Sequence, residues 1–298
     1  MYKLLVVDDE LSIRTMLVDY LESRYDIKAA ENGTEALSLL QEEQFDLVIS
    51  DINLPGISGP LLLKEIRKRY PDIKTALITA YNVDDYIKIA WECSVSNIIP
   101  KTVPFNFSEL ESIIRSLLSG EIFGICRYLQ SDAAVFKTFC ITSSASAREV
   151  REEITGLFKE KFGTAGDMLL LLDEVVTNAI YHAPVLEDGT EKYTEFSEVQ
   201  LESCEYIHID CAYDFEKYGV SVVDNQGRLT KETVLKKIER QISGAGVLDD
   251  SGRGIHMSRL FSDRMIINIA TNKKTEVILM NYFSKKYRGY KPLYINEL

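Results

Sequence analysis

The chain contains no run of about eighteen apolar residues, and its amino terminus, MYKLLVVDDE, turns acidic at Asp8, too soon for the apolar stretch of an export signal. Neither membrane insertion nor export is expected, and the sequence points to a cytoplasmic protein. Cysteine is scarce: Cys93, Cys126, Cys140, Cys204 and Cys211 make an odd number with no CxxC pair. That argues against a disulfide framework or a zinc site and leaves reduced, mostly buried thiols as the expectation. An excess of positive charge is also missing. Residues 1–120 hold 12 Lys/Arg against 19 Asp/Glu and the remainder 22 against 27, so the balances of −7 and −5 share out the total of −12. Neither part has the basic footprint of a nucleic-acid module, and no direct nucleic-acid partner is expected. Histidine is limited to His182, His208 and His256, with no helical dimerisation segment bearing a phosphorylatable histidine ahead of them, which counts against a histidine kinase.

At 298 residues, 46% hydrophobic and 27% charged, the chain has room for two domains that each bury a core. From residue 2 short apolar strands (YKLLVVD, DIKAA, FDLVISD, DIKTALITA, VSNIIPK) alternate with helical stretches at 11–25, 33–44, 58–70, 84–92 and 106–119. Five such repeats predict an α/β fold with a doubly wound five-stranded parallel sheet, whose ligands lie at the carboxyl ends of the strands. Asp8 and Asp9 end the first strand, Asp51 the third, Thr79 the fourth and Lys101 the fifth. Three carboxylates gathered at one edge call for a hard cation such as Mg²⁺. An Asp oxygen attacks phosphoryl groups when a metal and an ammonium offset their charge, which makes Asp51 the nucleophile, Lys101 the cation and Thr79 a hydroxyl for the acquired phosphoryl oxygen.

VVDDE, DLVISDINLPGISG, LITA and the Lys after NIIP together resemble the flavodoxin-like receiver domain of bacterial response regulators over about residues 1–120. The resemblance implies phosphorylation within a two-component system, with a cognate sensor histidine kinase as partner. Two departures stand out. Thr102 and Val103 separate Lys101 from Pro104, where the family has proline directly after the lysine, and Ile98 replaces the aromatic common three residues before it, leaving Tyr81 as a substitute. Residues 107–118 place Leu110, Ile113, Ile114, Leu117 and Leu118 at helical spacing, a candidate dimer surface or a face packed on its own sheet. Residues 121–136 form the expected linker helix and hinge, interrupted by glycine.

Residues 137–283 make the second expected domain, with a tail at 284–298. KTFCITSS has strand character, helices follow near 145–162 and 164–182, and CEYIHIDCAYDF, YGVSVVDNQG, SDRMIINIA and TEVILMNYF read as strands, the last two paired around TNKK. Helices first and sheet afterwards predict an α/β sandwich with its helices on one face. In LLLLDEVVTNAIYHA, Glu174 and Asn178 stand one turn apart on a helical stripe with Tyr181 and His182. Asp224 ends a strand ahead of Gly227, and Gly252, Arg253 and Gly254 precede a helix whose amides can approach phosphate.

DEVVTNAIYHA, VVDNQGR and SGRGIHMSRLFSD in this order resemble the GHKL ATPase family, most closely the serine kinases that act as bacterial anti-sigma factors. The resemblance implies that Asn178 holds Mg²⁺ with the ATP phosphates, Glu174 acts as general base, Asp224 selects adenine, and Gly252 to Gly254 lie beside the phosphates. An anti-anti-sigma type protein would be the substrate and a sigma factor a second partner. Gln226 departs from the family's Asp-x-Gly, the glycine arriving one position later. It favours an alternative in which the domain binds nucleotide without catalysis and sequesters a partner; an ATP-driven clamp lacks the transducer segment it would need. The acidic residues 185–203 are expected to form a solvated loop.

Overall fold

The structure, a computed structural model, describes residues 1–130, 132–163, 168–246, 253–283 and 290–298, with only the backbone at Leu169. Its chain divides into two compact units, Met1–Ile122 with Gly289–Tyr294, and Phe123–Arg288 with Ile295–Leu298.

The first unit alternates β1 (Lys3–Val7), α1 (Leu11–Leu21), β2 (Asp26–Ala30), α2 (Gly33–Glu42), β3 (Leu47–Asp51), α3 (Gly59–Arg69), β4 (Lys74–Thr79), α4 (Ile87–Glu92), β5 (Asn97–Pro100) and α5 (Phe107–Ser119). The strands run parallel in the order β2-β1-β3-β4-β5. Leu4 to Val7 and Leu47 to Ile49 are wholly buried, as strands covered on both faces must be. The side chain of Asn32 caps α2 and that of Asn106 caps α5, while Gly120, in the left-handed region, follows the last residue of α5. Leu110, Ile113 and Ile114 of α5 are buried, so the apolar stripe considered as a dimer surface is mostly consumed by the unit's own core.

In the second unit β6 (Ala134–Ile141) leads into α6 (Ser144–Phe162) and α7 (Met168–Thr177). β7 (Ile207–Tyr213), β8 (Lys217–Asp224), α8 (Lys231–Ile242), α9 (Arg253–Phe261), β9 (Arg264–Ala270) and β10 (Lys274–Tyr282) follow. The sheet is antiparallel, in the order β9-β10-β8-β7-β6. α7 packs against β8, β10, α6 and α9, and α8 against α9. This corrects the expected order of helices first and sheet afterwards: α8 and α9 come between strands, and α8 had not been anticipated. Its signals are Thr230, whose hydroxyl accepts from the Thr233 amide at 3.1 Å, and the buried Val234, Leu235 and Ile238 on one face.

The expected tail contains a last strand, β11 (Leu293–Glu297), whose Leu293 and Tyr294 pair antiparallel with Ile98 and Asn97 of β5 in the first unit. Among the described residues no helix is long and apolar enough to cross a membrane. All five cysteines are free, but Cys126, Cys140 and Cys204 are exposed. The expectation of mostly buried thiols fails because Cys140 points outward on the edge strand β6, and the other two sit in short surface turns.

Candidate functional site

The parallel sheet of the first unit brings Asp8, Asp51, Thr79 and Lys101 to one edge. The Lys101 ammonium lies 2.7 Å from Asp8 Oδ2 and 2.6 Å from Asp51 Oδ1. Burial pushes the Asp8 carboxyl above its ordinary range, Lys101 opposing and Asp51 adding to the rise. Burial also works against the charge of Lys101, yet its hydrogen bonds to Asp51 and Asp8 outweigh that and raise its pKa. Asp51 Oδ2 accepts from the Asn53 amide at 2.7 Å. The Thr79 hydroxyl accepts from the Tyr81 amide at 3.0 Å and is fully buried. Asp9 is exposed. Among the described residues no three acidic, histidine or cysteine side chains converge in the manner of metal ligands. Asp8 and Asp51 are thus two buried carboxylates that share one lysine, and Asp9, next to Asp8 in the chain, is exposed.

In the second unit Glu174, Asn178, Asp224 and Gly254 line one cavity of about 270 Å³. The Asn178 side-chain amide donates to the Glu174 carbonyl at 2.7 Å and to its Oε1 at 3.2 Å, and among the described residues no donor meets the amide oxygen. From Asn178 to His182 the helix widens to a π turn, Ala183 N donating to Asn178 O at 3.0 Å, a register change common at functional sites. A Cβ on Gly254 would lie 1.8 Å from Glu174 Oε1, so a side chain there would push the Glu174 carboxylate out of its place against α9. Arg253 opens α9 beside it without lining the cavity, and Gly252 lies outside the described residues.

Asp224 Oδ1 accepts from the amides of Gln226 at 2.9 Å and Gly227 at 3.1 Å. Burial raises the Asp224 carboxyl above its ordinary range, while those amides pull it back. Gly227 has φ +60, and a Cβ there would meet Ala270 O at 2.4 Å, so the turn needs glycine one position later than in the family pattern. Gln226 donates from its side chain to Cys204 O at 3.2 Å and does not line the cavity.

Comparison with known proteins bears on the first unit. Residues 4–115 match the family model described as Response regulator receiver domain. The first unit is a response regulator receiver domain. Over 117 residues the chain is 34% identical to Sensor kinase CckA of Brucella abortus, covering 38% of this chain and 12% of that protein. Over 168 residues it is 30% identical to Response regulator protein FleR of Pseudomonas aeruginosa, covering 56% and 35%, and over 119 residues 36% identical to the CpxR homolog of Haemophilus influenzae, covering 40% and 51%. The chain thus spans between an eighth and about half of the length of these relatives. Among solved structures it is similar to Thermotoga maritima TrrA in complex with Mg²⁺-BeF, with 43% identity over 40% of this chain and 100% of that one and a TM-score of 0.36.

Sequence reasoning passed over several residues around both sites. In the receiver, Asn53 also donates from its side chain to the Tyr86 hydroxyl at 2.8 Å, and Tyr81 packs edge-on against Tyr86. Ile98 is buried and Tyr81 exposed, so any aromatic near the site comes from β4's end and not from β5. The cis peptide falls at Val103–Pro104, and Lys101 reaches both carboxylates with Thr102 and Val103 in between. In the second unit, Arg228, Thr233 and Lys237 line the cavity, the last two from the unanticipated α8. His182 Nδ1 lies 2.7 Å from Glu191 Oε1, both at the cavity wall. The acidic segment is accordingly fastened and not simply solvated: Lys192 pairs with Glu202 at 2.6 Å and with the buried Glu205 at 2.7 Å, to which Tyr193 also donates.

Proposed function

We propose that this protein is a response regulator in which phosphorylation of Asp51 controls an ATP-dependent serine/threonine kinase unit. The observation that carries the reading is the assembly of Glu174, Asn178, Asp224 and Gly254, drawn from three distant segments, around one cavity in a chain that begins with a receiver domain. Receiver domains bind Mg²⁺. The donors here suit it: Asp8 and Asp51 are oxygen ligands whose buried charge a divalent cation would offset, with exposed Asp9 at the same strand end. Mg²⁺, when bound, withdraws charge from phosphoryl oxygens. In the proposed transfer an Asp51 carboxylate oxygen attacks phosphorus of a phosphohistidine on the cognate sensor histidine kinase, and the P–N bond breaks with its electron pair going to the imidazole nitrogen, which takes a proton from water. Lys101 then pairs with the new phosphoryl group, and Thr79 donates to one of its oxygens.

In the second unit, Asn178 offers its unengaged amide oxygen to Mg²⁺ with the ATP phosphates, and the Asp224 carboxylate accepts from the adenine amino group. Glu174 takes the proton of an incoming serine or threonine hydroxyl as that oxygen attacks the terminal phosphorus and ADP leaves. The resemblance to anti-sigma-factor kinases makes a small anti-anti-sigma type protein the proposed substrate and a sigma factor the second partner. The rival, a nucleotide-binding module that sequesters its partner without phosphorylating it, rests on Gln226 and the displaced Gly227. Incubation with labelled ATP and Mg²⁺, followed by assay of candidate partners for both complex formation and phosphoserine, separates the two. Complex without phosphoserine favours the rival, and loss of both sinks the kinase proposal.

A further inference from the structure

The strands that floor the nucleotide cavity have a second occupied face. On the cavity side stand Val222 and Asp224 of β8, Met265 and Ile267 of β9, and Thr275 and Val277 of β10. The residues between them point the other way. There, Glu276 of β10 is only 1% exposed and accepts four hydrogen bonds from three partners: the Gly124 amide at 2.9 and 3.1 Å from its two oxygens, the Ser221 hydroxyl at 2.5 Å and the Asn268 side-chain amide at 2.9 Å. Asn268 accepts in turn from the Tyr128 hydroxyl at 3.0 Å and from the Asn296 amide at 2.8 Å. Gly124 and Tyr128 belong to the segment with which the chain leaves the receiver unit at Ile122. That segment is pinned again by Gln130 N, which donates to Asp214 Oδ2 at 2.8 Å, by Lys274 over the Phe123 ring at 4.4 Å, and by the buried Ile125 and Leu129.

We propose that Glu276 is a positioning residue that couples this segment, residues 123–130, to the nucleotide cavity on the opposite face of the same strands. A buried carboxylate tolerates little change in its donors, since one left unpaired costs heavily. A pull on Gly124 therefore moves β10, and the neighbours of Glu276 in that strand are Thr275, which stands opposite Asp224 in the register of β10 on β8, and Val277, both of which line the cavity. Residues 123–130 are the first stretch of the second unit that the chain enters on leaving the receiver at Ile122. The inference rests on the nucleotide reading of the cavity and adds the means by which the receiver reaches it.

The test uses the full-length protein as wild type, Glu276→Gln and Ser221→Ala. Glu276→Gln turns one acceptor into a donor facing the donors of Gly124 or Asn268, and Ser221→Ala removes one donor and serves should the first variant fail to fold. Two quantities are read with and without Mg²⁺ and beryllofluoride: amide exchange of residues 123–130 and the dissociation constant for Mg-ATP. In the wild type beryllofluoride should change exchange about tenfold and the dissociation constant about fivefold or more. Both responses should shrink toward unity in the variants while Mg-ATP binding itself persists. Wild-type responses retained in a folded variant, or a wild-type segment whose exchange ignores beryllofluoride, overturn the proposal. A segment that responds in the wild type and not in the variants, in a protein that binds no Mg-ATP, sinks the nucleotide reading and leaves the Glu276 contact as the receiver's anchor.

Discussion

Lys101 places one positive charge between two carboxylates of which Asp8 is wholly buried. Removing it with Lys101→Met leaves those charges uncompensated and should cost about 3–5 kcal/mol, measured by urea unfolding at neutral pH. The sign of its pH dependence follows from its raised pKa. The stabilisation is fully present below the unfolded value of 10.5 and is lost as pH climbs through the higher folded value, so wild type and Lys101→Met should converge in strongly alkaline solution and stay apart at pH 8. Asp8 works in the opposite sense. Its folded pKa lies above 3.8, so the folded state holds the proton more tightly and stability declines as pH rises from 3.8 through the folded value. Asp8→Asn should flatten that decline and also end Mg²⁺-dependent phosphorylation from a small phosphodonor. In the other unit, Glu174→Gln should retain Mg-ATP binding and slow phosphoryl transfer by about 10²–10⁴-fold; transfer at the wild-type rate would remove Glu174 from the role of base.

At the scale of elements, α8 is where sequence and structure part most clearly. KETVLKKIERQI commits only Val234, Leu235 and Ile238 to the core, so its apolar stripe is narrow, and a search guided by the order of motifs moves past it to SGRG. Yet α8 brings Thr233 and Lys237 to the cavity. Loss of its cap in Thr230→Ala should destabilise the protein by about 1 kcal/mol and weaken Mg-ATP binding in parallel, both measurable on one preparation; unchanged nucleotide affinity would mean that α8 is only a prop. The parallel strands were legible because they are short, mostly apolar runs, as LVISD spans β3 from Leu47 to Asp51. So were Glu174 and Asn178, whose spacing is helical. Asn53, Tyr86, Glu191 and Glu276 were not, because their meaning depends on partners 33, 33, 9 and 152 positions away, pairings that no local period records. The hidden π turn at Asn178 to His182 belongs to the same class, since its register change leaves no mark on the apolar spacing.

The molecule as a whole joins an acidic receiver to an antiparallel sheet that carries a cavity on one face and the incoming chain on the other. Its net charge of −12 offers no basic footprint for nucleic acid, and the proposed ligands of the second unit are a nucleotide and proteins. The central claim is that the chemistry of the first unit sets the affinity or activity of the second. Allosteric coupling of this kind is a free-energy difference between two binding states, and it can be read without knowing the protein substrate. The most direct measurement is the dissociation constant of Mg-ATP for the full-length protein with and without beryllofluoride. The account predicts that the two values differ by about fivefold or more, in whichever direction the switch runs; Mg-ATP binding that is absent, or equal in both states, would contradict it.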